Sequence, residues 1–354
     1  MIEKRIAFVQ EYYPHYREFF VGSIKEHFGE KINFFSYGQL ESIPNGERSN
    51  IKSNRLRSWK YKSLTFFNML PLLRKYDVII VPGEIKNLSV WMLLLLSKIL
   101  PYKVILFGHG ISVTNYLKEE QKFYRIRVIF NSLSNAMWLY TNKERDLWRA
   151  RLSNKEIYSL NNTLNLECID VENNRYELKN KYKIKTKYNL IFCARFNNLR
   201  RVDLLIDVIN RLPNYFGIII IGDGENKPNF DDFENVYDFG SVYDENIKNE
   251  LFYISDLYFQ PAWCGLSIVD AMFHGKPILT FKRNYDLYQC VEYSYVINGE
   301  NGFIFENTEE IITYLNLMSD AKLNKISKTT KVFSEHNLQP SKMINTALHS
   351  IESL

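Results

Sequence analysis

Four short runs, VIIVPG (78–83), VILFGHG (104–110), LIFCARF (190–196) and GIIIIGDG (217–224), constrain this chain more than any other feature. Their apolar residues are consecutive, and each apolar run is interrupted at its end by glycine or by arginine. A strand with one wet face alternates apolar and polar positions. A continuous apolar run of this length is expected where both faces are covered, as in a parallel sheet flanked by helices. Helical periodicity separates the runs. Apolar residues recur at helical spacing at Phe19, Phe20, Ile24 and Phe28 in 16–29, with Gly29 as a stop. The segments 145–152, 201–212, 246–255 and 308–320 also read as helices, the last opening on a Thr-Glu-Glu cap signal. Further strands are expected at 4–10, 31–38, 156–163, 189–196, 235–240, 256–262 and 275–281. The fold class is α/β, with two doubly wound Rossmann-like domains facing each other across a cleft.

A chain of 354 residues is too long for one ordinary core and fits two domains. The alternation lapses over 167–188, ECIDVENNRYELKNKYKIKTKY, which is charged and has little periodicity. This is the expected interdomain linker. It separates an N-terminal domain, 1–166, from a C-terminal domain, 189–330. A helical segment, 331–354, follows and is placed back on the N-terminal domain. A net charge of +5 without a concentrated basic face argues against nucleic acid as a partner. The start MIEKRIAFVQ has no signal-peptide pattern. The run 88–100, LSVWMLLLLSKIL, is too short and too interrupted to span a membrane and reads as a buried helix. Cys168, Cys193, Cys264 and Cys290 have no metal-binding spacing and read as reduced core thiols. No convincing carboxylate pair marks a metal site, and FDDFE (230–234) reads as a polar loop. No GxGxxG follows the first strand of either domain, which argues against a dinucleotide cofactor.

In doubly wound domains ligands bind beyond the carboxyl ends of the strands. Arg195 stands just past one such end, with Arg200 and Arg201 within a turn of it. Guanidinium forks at a strand tip match a diphosphate. The stretch WCGLSIVDAMFHGKPILTF (263–281) turns a strand into a helix. Its first N–H groups lack intrahelical acceptors and face the expected cleft. Gly265 permits close backbone approach, and a carboxylate at Asp270 can accept hydrogen bonds from the vicinal hydroxyls of a ribose. Taken alone, Asp270 reads first as an acidic residue that only complements the helix dipole. His274 reads as a helix cap.

The series CARFNNLRRVDLLIDVI, IIIIGDGEN, FGSV, ISDLYFQPAWCGLSIVDAMFHGKPILTF and NGENGFIF resembles the C-terminal domain of GT-B glycosyltransferases of the large retaining family 4 (glycosyl transferases group 1), over about residues 189–320. HYREFF, VILFGHG, YTNKERDLW and SLNNTLN resemble the acceptor domain of that family more loosely. The resemblance implies that Arg195 contacts a donor diphosphate. Arg200 stands where the family has the lysine of a Lys-Gly pair, and Arg201 replaces the glycine. Asp270 stands where the family has a ribose-binding glutamate, and Ala262 where it has a glutamate that contacts the donor sugar.

The resemblance implies that His109, at a strand end between glycines, faces the donor sugar near the reacting carbon; a lone histidine is otherwise more often structural. His109, Arg195 and Arg200 are then the catalytic set. The donor-binding set is Gly222, Gly224, Trp263, Cys264, Gly265, Leu266, Ser267 and Asp270, with backbone N–H groups of Gly265, Leu266 and Ser267 standing in for the missing glutamate. His15, Tyr16 and Arg17, after the first strand, are expected to contact the acceptor. The implied activity is transfer of a sugar from a nucleotide-diphosphate sugar to a saccharide or lipid-linked saccharide, with retention and no obligatory metal or other cofactor, in surface polysaccharide synthesis. A sugar-nucleotide epimerase or hydrolase, and a non-catalytic nucleotide- or carbohydrate-binding protein, are the alternatives. Sugar release without an acceptor would mark the former, and nucleotide binding without turnover the latter. Basic and aromatic residues in 57–76, RSWKYKSLTFFNMLPLLRKY, fit either an anionic membrane surface or an ordinary solvated helix. The expected location is cytoplasmic, peripheral on the inner membrane face.

Overall fold

The computed structural model describes residues 4–38, 49–166 and 174–354. Two compact units form: Met1–Asn165 together with Pro340–Leu354, and Leu166–Gln339.

The first unit is built on a seven-stranded, all-parallel sheet. Its strands are β1 (Ile6–Gln10), β2 (Ile32–Ser36), β3 (Asn54–Arg55), β6 (Val78–Pro82), β7 (Lys103–Gly108), β8 (Ala136–Leu139) and β9 (Glu156–Ser159). The spatial order is β3-β2-β1-β6-β7-β8-β9. The chain therefore works outward from β1 on one side, then crosses back to β6 and works outward on the other. Every residue of β6 is buried, as its unbroken apolar run requires. Ile6 and Phe8 of β1 join Phe20 and Ile24 of helix α1 (Glu18–Phe28) in one core cluster. Gly29 ends α1 with φ 55°, a left-handed value suited to glycine.

Three elements of this unit differ from the sequence expectation. Residues 57–76 contain no α-helix. An antiparallel hairpin, β4 (Ser58–Tyr61) with β5 (Leu64–Phe67), precedes a single 3-10 turn at Leu70–Leu72. The aromatic and β-branched content around Lys62-Ser63 favours paired strands over a helix. Helix α2 (Leu88–Leu96) is not fully buried: Met92 and Leu95 are exposed, as is Ile99 just beyond it. Strand β8, AMWL, escaped the sequence reading because it is only four residues long, although all four are buried.

The second unit carries a six-stranded, all-parallel sheet in the order β12-β11-β10-β13-β14-β15. These are Tyr188–Cys193 (β10), Phe216–Ile221 (β11), Val236–Asp238 (β12), Leu257–Phe259 (β13), Ile278–Phe281 (β14) and Gly302–Phe305 (β15). Successive residues of β11 feed two clusters: Phe216, Ile218 and Ile220 in one, Ile219 and Ile221 in the other. Both faces are thus covered, and a polar residue at any of these positions would lose its water.

The expected linker is partly folded. Residues 167–173, with Cys168, lie outside the described residues, but Arg175–Lys181 forms helix α6. Asn174 caps it in a reciprocal capping box with Glu177, and Leu178 is fully buried in a core of the second unit. The box satisfies two orphan donors, and the buried leucine ties the helix to its domain. Cys264 and Cys290 are buried free thiols and Cys193 is half-buried. At the cap expected on Thr308, the neighbouring Asn307 accepts from Glu310 N and starts helix α10 (Thr308–Asn316).

The C-terminal segment divides at residue 339. Helix α11 (Asp320–Asn337) stays with the second unit, whereas α12 (Pro340–Glu352) belongs to the first. Met343, Ala347 and Ile351 recur every four residues along α12 and are fully buried against α1 and the sheet. Trp138 Nε1 donates to Ser350 Oγ at 2.6 Å, and Lys4 donates to the last carbonyls of the helix at 2.8–3.2 Å. Met343→Ala and Ile351→Ala should each lower stability by about 2–5 kcal/mol through lost burial and a residual cavity. Urea unfolding followed by hydrogen exchange should show the loss confined to amides of the first unit. An equal loss in β10 and β11 would contradict this assignment of α12.

Candidate functional site

In the second unit the strand order reverses between β10 and β13. Loops leaving their carboxyl ends diverge, which is where such sheets bind ligands. Residues 194–201 leave β10, and residues 260–267 leave β13 for helix α9 (Ser267–Phe273). Trp263 turns the second loop through a left-handed conformation, φ 57°, which costs a non-glycine residue on the order of 1–2 kcal/mol. The turn presents its carbonyl to two donors, Arg200 Nη1 and Gln260 Nε2, both at 2.7 Å. Gln260 is held in turn, because its Oε1 accepts from Tyr258 OH at 2.6 Å and Ser267 Oγ at 2.8 Å. The guanidinium of Arg200 is therefore anchored by one N–H, while its buried Nε has no hydrogen-bond partner. An orphaned buried donor on a fixed cation calls for an acceptor from outside.

Arg201 faces away. It takes the left-handed position at φ 51°, and its fork grips Asp203, with Nη2 to Oδ2 at 2.6 Å. This is the position where the resemblance expects glycine, and the backbone shape is kept although the residue is not. Arg195 is exposed at the strand tip.

Asp270 is almost fully buried. Lys248, from helix α8 (Glu245–Ile254), approaches its Oδ2 at 2.7 Å. His274 Nδ1 lies 2.9 Å from the Asp270 carbonyl oxygen and 3.3 Å from Oδ1, and its Nε2 lies 2.7 Å from Asn249 Oδ1. Burial by itself would raise the Asp270 pKa, but His274 and Lys248 outweigh it and hold the carboxyl below its ordinary value. Burial by itself would lower the Lys248 pKa, but Asp270, and then Glu245, hold the ammonium above its ordinary value. Oδ1 has no hydrogen-bond donor. One oxygen is thus committed to the Lys248 ion pair, and the other is buried beside His274 Nδ1.

The rest of the expected donor set divides between ligand-facing and structural positions. Ser267, Gly265 and Leu266 are half-buried at the loop-to-helix junction. A Cβ on Gly265 would meet only ordinary contacts, so no close protein approach demands that glycine. Cys264 is turned inward: its thiol is buried 3.2 Å from Thr280 Oγ1, and its N–H donates to Gln289 Oε1 at 2.8 Å. Its expected donor contact is replaced by a core role. Gly222 and Gly224 are required by their own chain. At φ 144° and 150°, a Cβ would lie 2.0 Å from the Ala194 carbonyl oxygen and 2.1 Å from that of Phe196. They let the 222–224 turn pack against the 194–196 loop that carries Arg195. Ala262 is fully buried in the core, and its methyl does not reach the loop surface. The 480 Å³ pocket around His274, Lys276 and Lys331 lies at the other end of α9.

His109 belongs to the first unit, and Arg195 and Arg200 to the second. The His109 ring packs edge-on to Tyr140 at 4.7 Å. Burial, then the charges of Arg17 and Arg127, push its pKa down to about 4. It is therefore a neutral imidazole at physiological pH, able to donate or accept a hydrogen bond without carrying charge. Arg17 is buried and Tyr16 half-buried, and both line a 280 Å³ cavity with Gln10, Glu11 and Glu84. His15 is exposed and does not line it. The cavity sits where β1 and β6 end, at the strand-order reversal of the first sheet.

Sequence reasoning missed Gln260, Lys248, Gln10 and Glu84. Gln260 had a signal, as a polar residue ending the apolar run LYFQ. Lys248 had none, since a lysine on an amphipathic helix ordinarily faces water.

Residues 187–319 match the family described as glycosyl transferases group 1. The O-antigen biosynthesis glycosyltransferase WbnH of Escherichia coli is 24% identical over 284 residues, covering 78% of this chain and 76% of that protein. The crystal structure of Anabaena HepE in complex with UDP aligns over 99% of this chain and 100% of that one, at 16% identity and a TM-score of 0.69. The lipopolysaccharide outer core galactosyltransferase WaaB aligns over 99% of both chains, at 14% identity and a TM-score of 0.65. The fold is GT-B, and the protein is a glycosyltransferase. Its C-terminal unit is a glycosyl transferases group 1 domain.

The neutral state of His109 gives a pH test. Its folded pKa lies below the ordinary value of 6.5, so its contribution to stability is complete above pH 6.5 and is lost as pH falls towards 4. The unfolding free energy should fall by up to about 1.4 kcal/mol per pH unit in that window. His109→Gln should flatten this part of the profile, measured as urea midpoints between pH 4.5 and 7.

Proposed function

We propose that this glycosyltransferase takes its sugar from a nucleoside-diphosphate donor held at the β10/β13 strand ends, and that it builds a surface polysaccharide of the O-antigen type. The observation that carries the donor site is the Arg200 guanidinium, anchored on the Trp263 carbonyl with Nε orphaned. Arg200 and Arg195 meet the diphosphate, the α9 start supplies N–H groups, and Asp270 Oδ1 accepts from the ribose. In the proposed step the bond from the anomeric carbon to the diphosphate oxygen breaks. The acceptor hydroxyl bonds to that carbon from the same face, and its proton passes to the departing phosphate oxygen. Configuration is retained, as in the family 4 enzymes the sequence resembles. Arginine charge rather than a metal stabilises the leaving group, so activity should persist in EDTA. The polysaccharide assignment is supported by the names of the E. coli relatives, WbnH and WbiN, both O-antigen biosynthesis glycosyltransferases or probable ones. The HepE structures were solved with UDP and UDP-glucose, which makes uridine diphosphate the first nucleotide to try.

Thermal shifts with UDP, GDP, ADP and CMP test the site. A nucleotide at about 100 times its Kd should stabilise the protein by roughly 2.7 kcal/mol. Arg200→Ala should weaken that nucleotide by about 10- to 100-fold, the worth of a charge-assisted hydrogen bond. Arg201→Gly should leave it unchanged, because Arg201 is spent on Asp203. Stabilisation by none of the four, or equal sensitivity to both substitutions, would remove the site.

We further place the acceptor end at an anionic membrane, on the cytoplasmic face, with a saccharide or lipid-linked saccharide as acceptor. Trp59, Tyr61, Leu70, Met92, Leu95 and Ile99 are 48–83% exposed. Trp59, Leu70 and Met92 line one open depression, and Arg55, Arg57, Lys60 and Lys62 are exposed beside them. No helix among the described residues is long and apolar enough to cross a membrane. Apolar side chains next to basic ones suit the interface of an anionic bilayer. The protein should cosediment with phosphatidylglycerol vesicles and not with phosphatidylcholine ones. Trp59→Glu should reduce binding several-fold, and binding that salt and this substitution leave unchanged would count against the surface.

A further inference from the structure

Several buried charges among the described residues are compensated by an opposite charge or by carbonyl oxygens. Glu119 pairs with Arg127 at 2.6 Å, Asp256 with Arg175 at 2.5 Å and Asp270 with Lys248 at 2.7 Å. Lys276 donates to the Ser255 carbonyl at 2.8 Å, and Arg283 to the carbonyls of Gln289 and Cys290 at 3.0 and 2.7 Å. Arg17 is 93% buried, yet its side chain has no carboxylate or carbonyl partner among the described residues. The guanidinium carbon lies 5.4–5.6 Å from the ring centroids of Tyr16, Phe107 and Tyr140. Its one polar contact is from Nη1 to the Met343 sulfur at 3.9 Å. Cation–π attraction offsets part of the desolvation, but five N–H groups are left without strong acceptors.

Arg17 and all three rings line the 280 Å³ cavity at the ends of β1 and β6. A second orphan lies on the same cavity: Gln10 Nε2 is buried with no hydrogen-bond partner. Glu11 and Glu84 also line it, and Lys60 ties Glu11 down at 2.9 Å. The cavity thus offers an unpaired cation, an unpaired amide donor and two carboxylates, bounded by aromatic walls. Its volume is that of on the order of ten water molecules, and therefore of one sugar ring.

We propose that this cavity binds the acceptor through an acidic group, a carboxylate or phosphate carried on a sugar residue. The anion forks onto Arg17 and takes the Gln10 amide hydrogen, and ring hydroxyls donate to Glu11 and Glu84. The aromatic rings pack against the sugar and keep water from the ion pair, which strengthens it. A neutral sugar would leave the guanidinium as unpaired as before, so the acidic group is a condition of tight binding. The inference rests on the chain being a glycosyltransferase and names the acceptor class. It is independent of which nucleotide the other unit takes.

The test uses the full chain with UDP present to occupy any nucleotide site. Calorimetry and ligand-observed NMR compare glucuronate, glucose 6-phosphate, inorganic phosphate and neutral glucose. One or both acidic sugars should bind at least about 10-fold more tightly than glucose. Preference for glucuronate points to a uronic-type acceptor, and preference for glucose 6-phosphate to a phosphorylated one. Arg17→Met should abolish the difference while leaving the thermal midpoint of the free protein equal or higher, because it removes an unpaired buried charge. Arg17→Lys, which keeps charge but not the planar fork, should weaken the acidic sugar and retain the fold, and it carries the test if the methionine variant does not fold.

Equal affinities for acidic and neutral sugars would overturn the proposal. So would inorganic phosphate matching glucose 6-phosphate, acidic-sugar binding that both Arg17 variants leave intact, or no acid-dependent signal at any concentration up to about 20 mM, well past the millimolar Kd of a weak binder. Loss of the UDP shift with the acid preference intact would instead count against the donor site alone.

Discussion

Two parallel sheets covered on both faces decide where chemistry can sit in this protein. Strands such as Val78–Pro82 and Phe216–Ile221 have no wet side, so a functional side chain cannot stand on them without losing its water. Polar and charged groups are displaced to the loops beyond the carboxyl ends. They gather where the strand order reverses, between β1 and β6 in one unit and between β10 and β13 in the other. The cavity with Arg17, Gln10 and Glu84 lies at the first reversal, and the Arg200–Trp263–Gln260 network at the second. Neither site needs a special fold device beyond the divergence of two loops.

What distinguishes the two sites is how their charges are held. The second unit compensates Asp270 internally with Lys248 and His274, leaving one buried carboxylate oxygen without a hydrogen-bond partner. Arg200 is likewise half-committed, anchored by Nη1 with Nε free of partners. Half-commitment fixes the geometry of a group while reserving part of its bonding for a ligand. Arg17 is the extreme case, positioned by aromatic faces and a sulfur and bonded to no oxygen. Its destabilising desolvation is tolerable because the unit has a large core, including the stripe of α12 that the chain returns from its far end.

Backbone shape is as much a part of the second site as the side chains. Trp263 and Arg201 both occupy left-handed conformations that would suit glycine. The first aims a carbonyl at Arg200, and the second turns its own side chain away onto Asp203. Gly222 and Gly224 serve the opposite need, since only a missing Cβ lets their turn lie against the Ala194 and Phe196 carbonyls.

The sequence by itself determined the fold class, because consecutive apolar residues between amphipathic helices have few other solutions. It also determined which loops carry charge, and so it pointed to Arg195, Arg200, Asp270 and Arg17. It could not decide partnerships, which depend on residues far apart in the chain. Lys248 carries no sequence signal of its role, and only the packing of α8 brings it to Asp270. Cys264 read both as a core thiol and as a donor contact, and its contacts to Thr280 of β14 and Gln289 match the core reading. Residues 57–76 read as a membrane surface or a solvated helix, and cross-strand pairing makes 58–67 a hairpin. The membership of α6 and α12 depends on contacts for the same reason. Only the burial of Leu178 in one unit, and of Met343 and Ile351 in the other, assigns α6 and α12, because membership in a core is a property of contacts and not of composition.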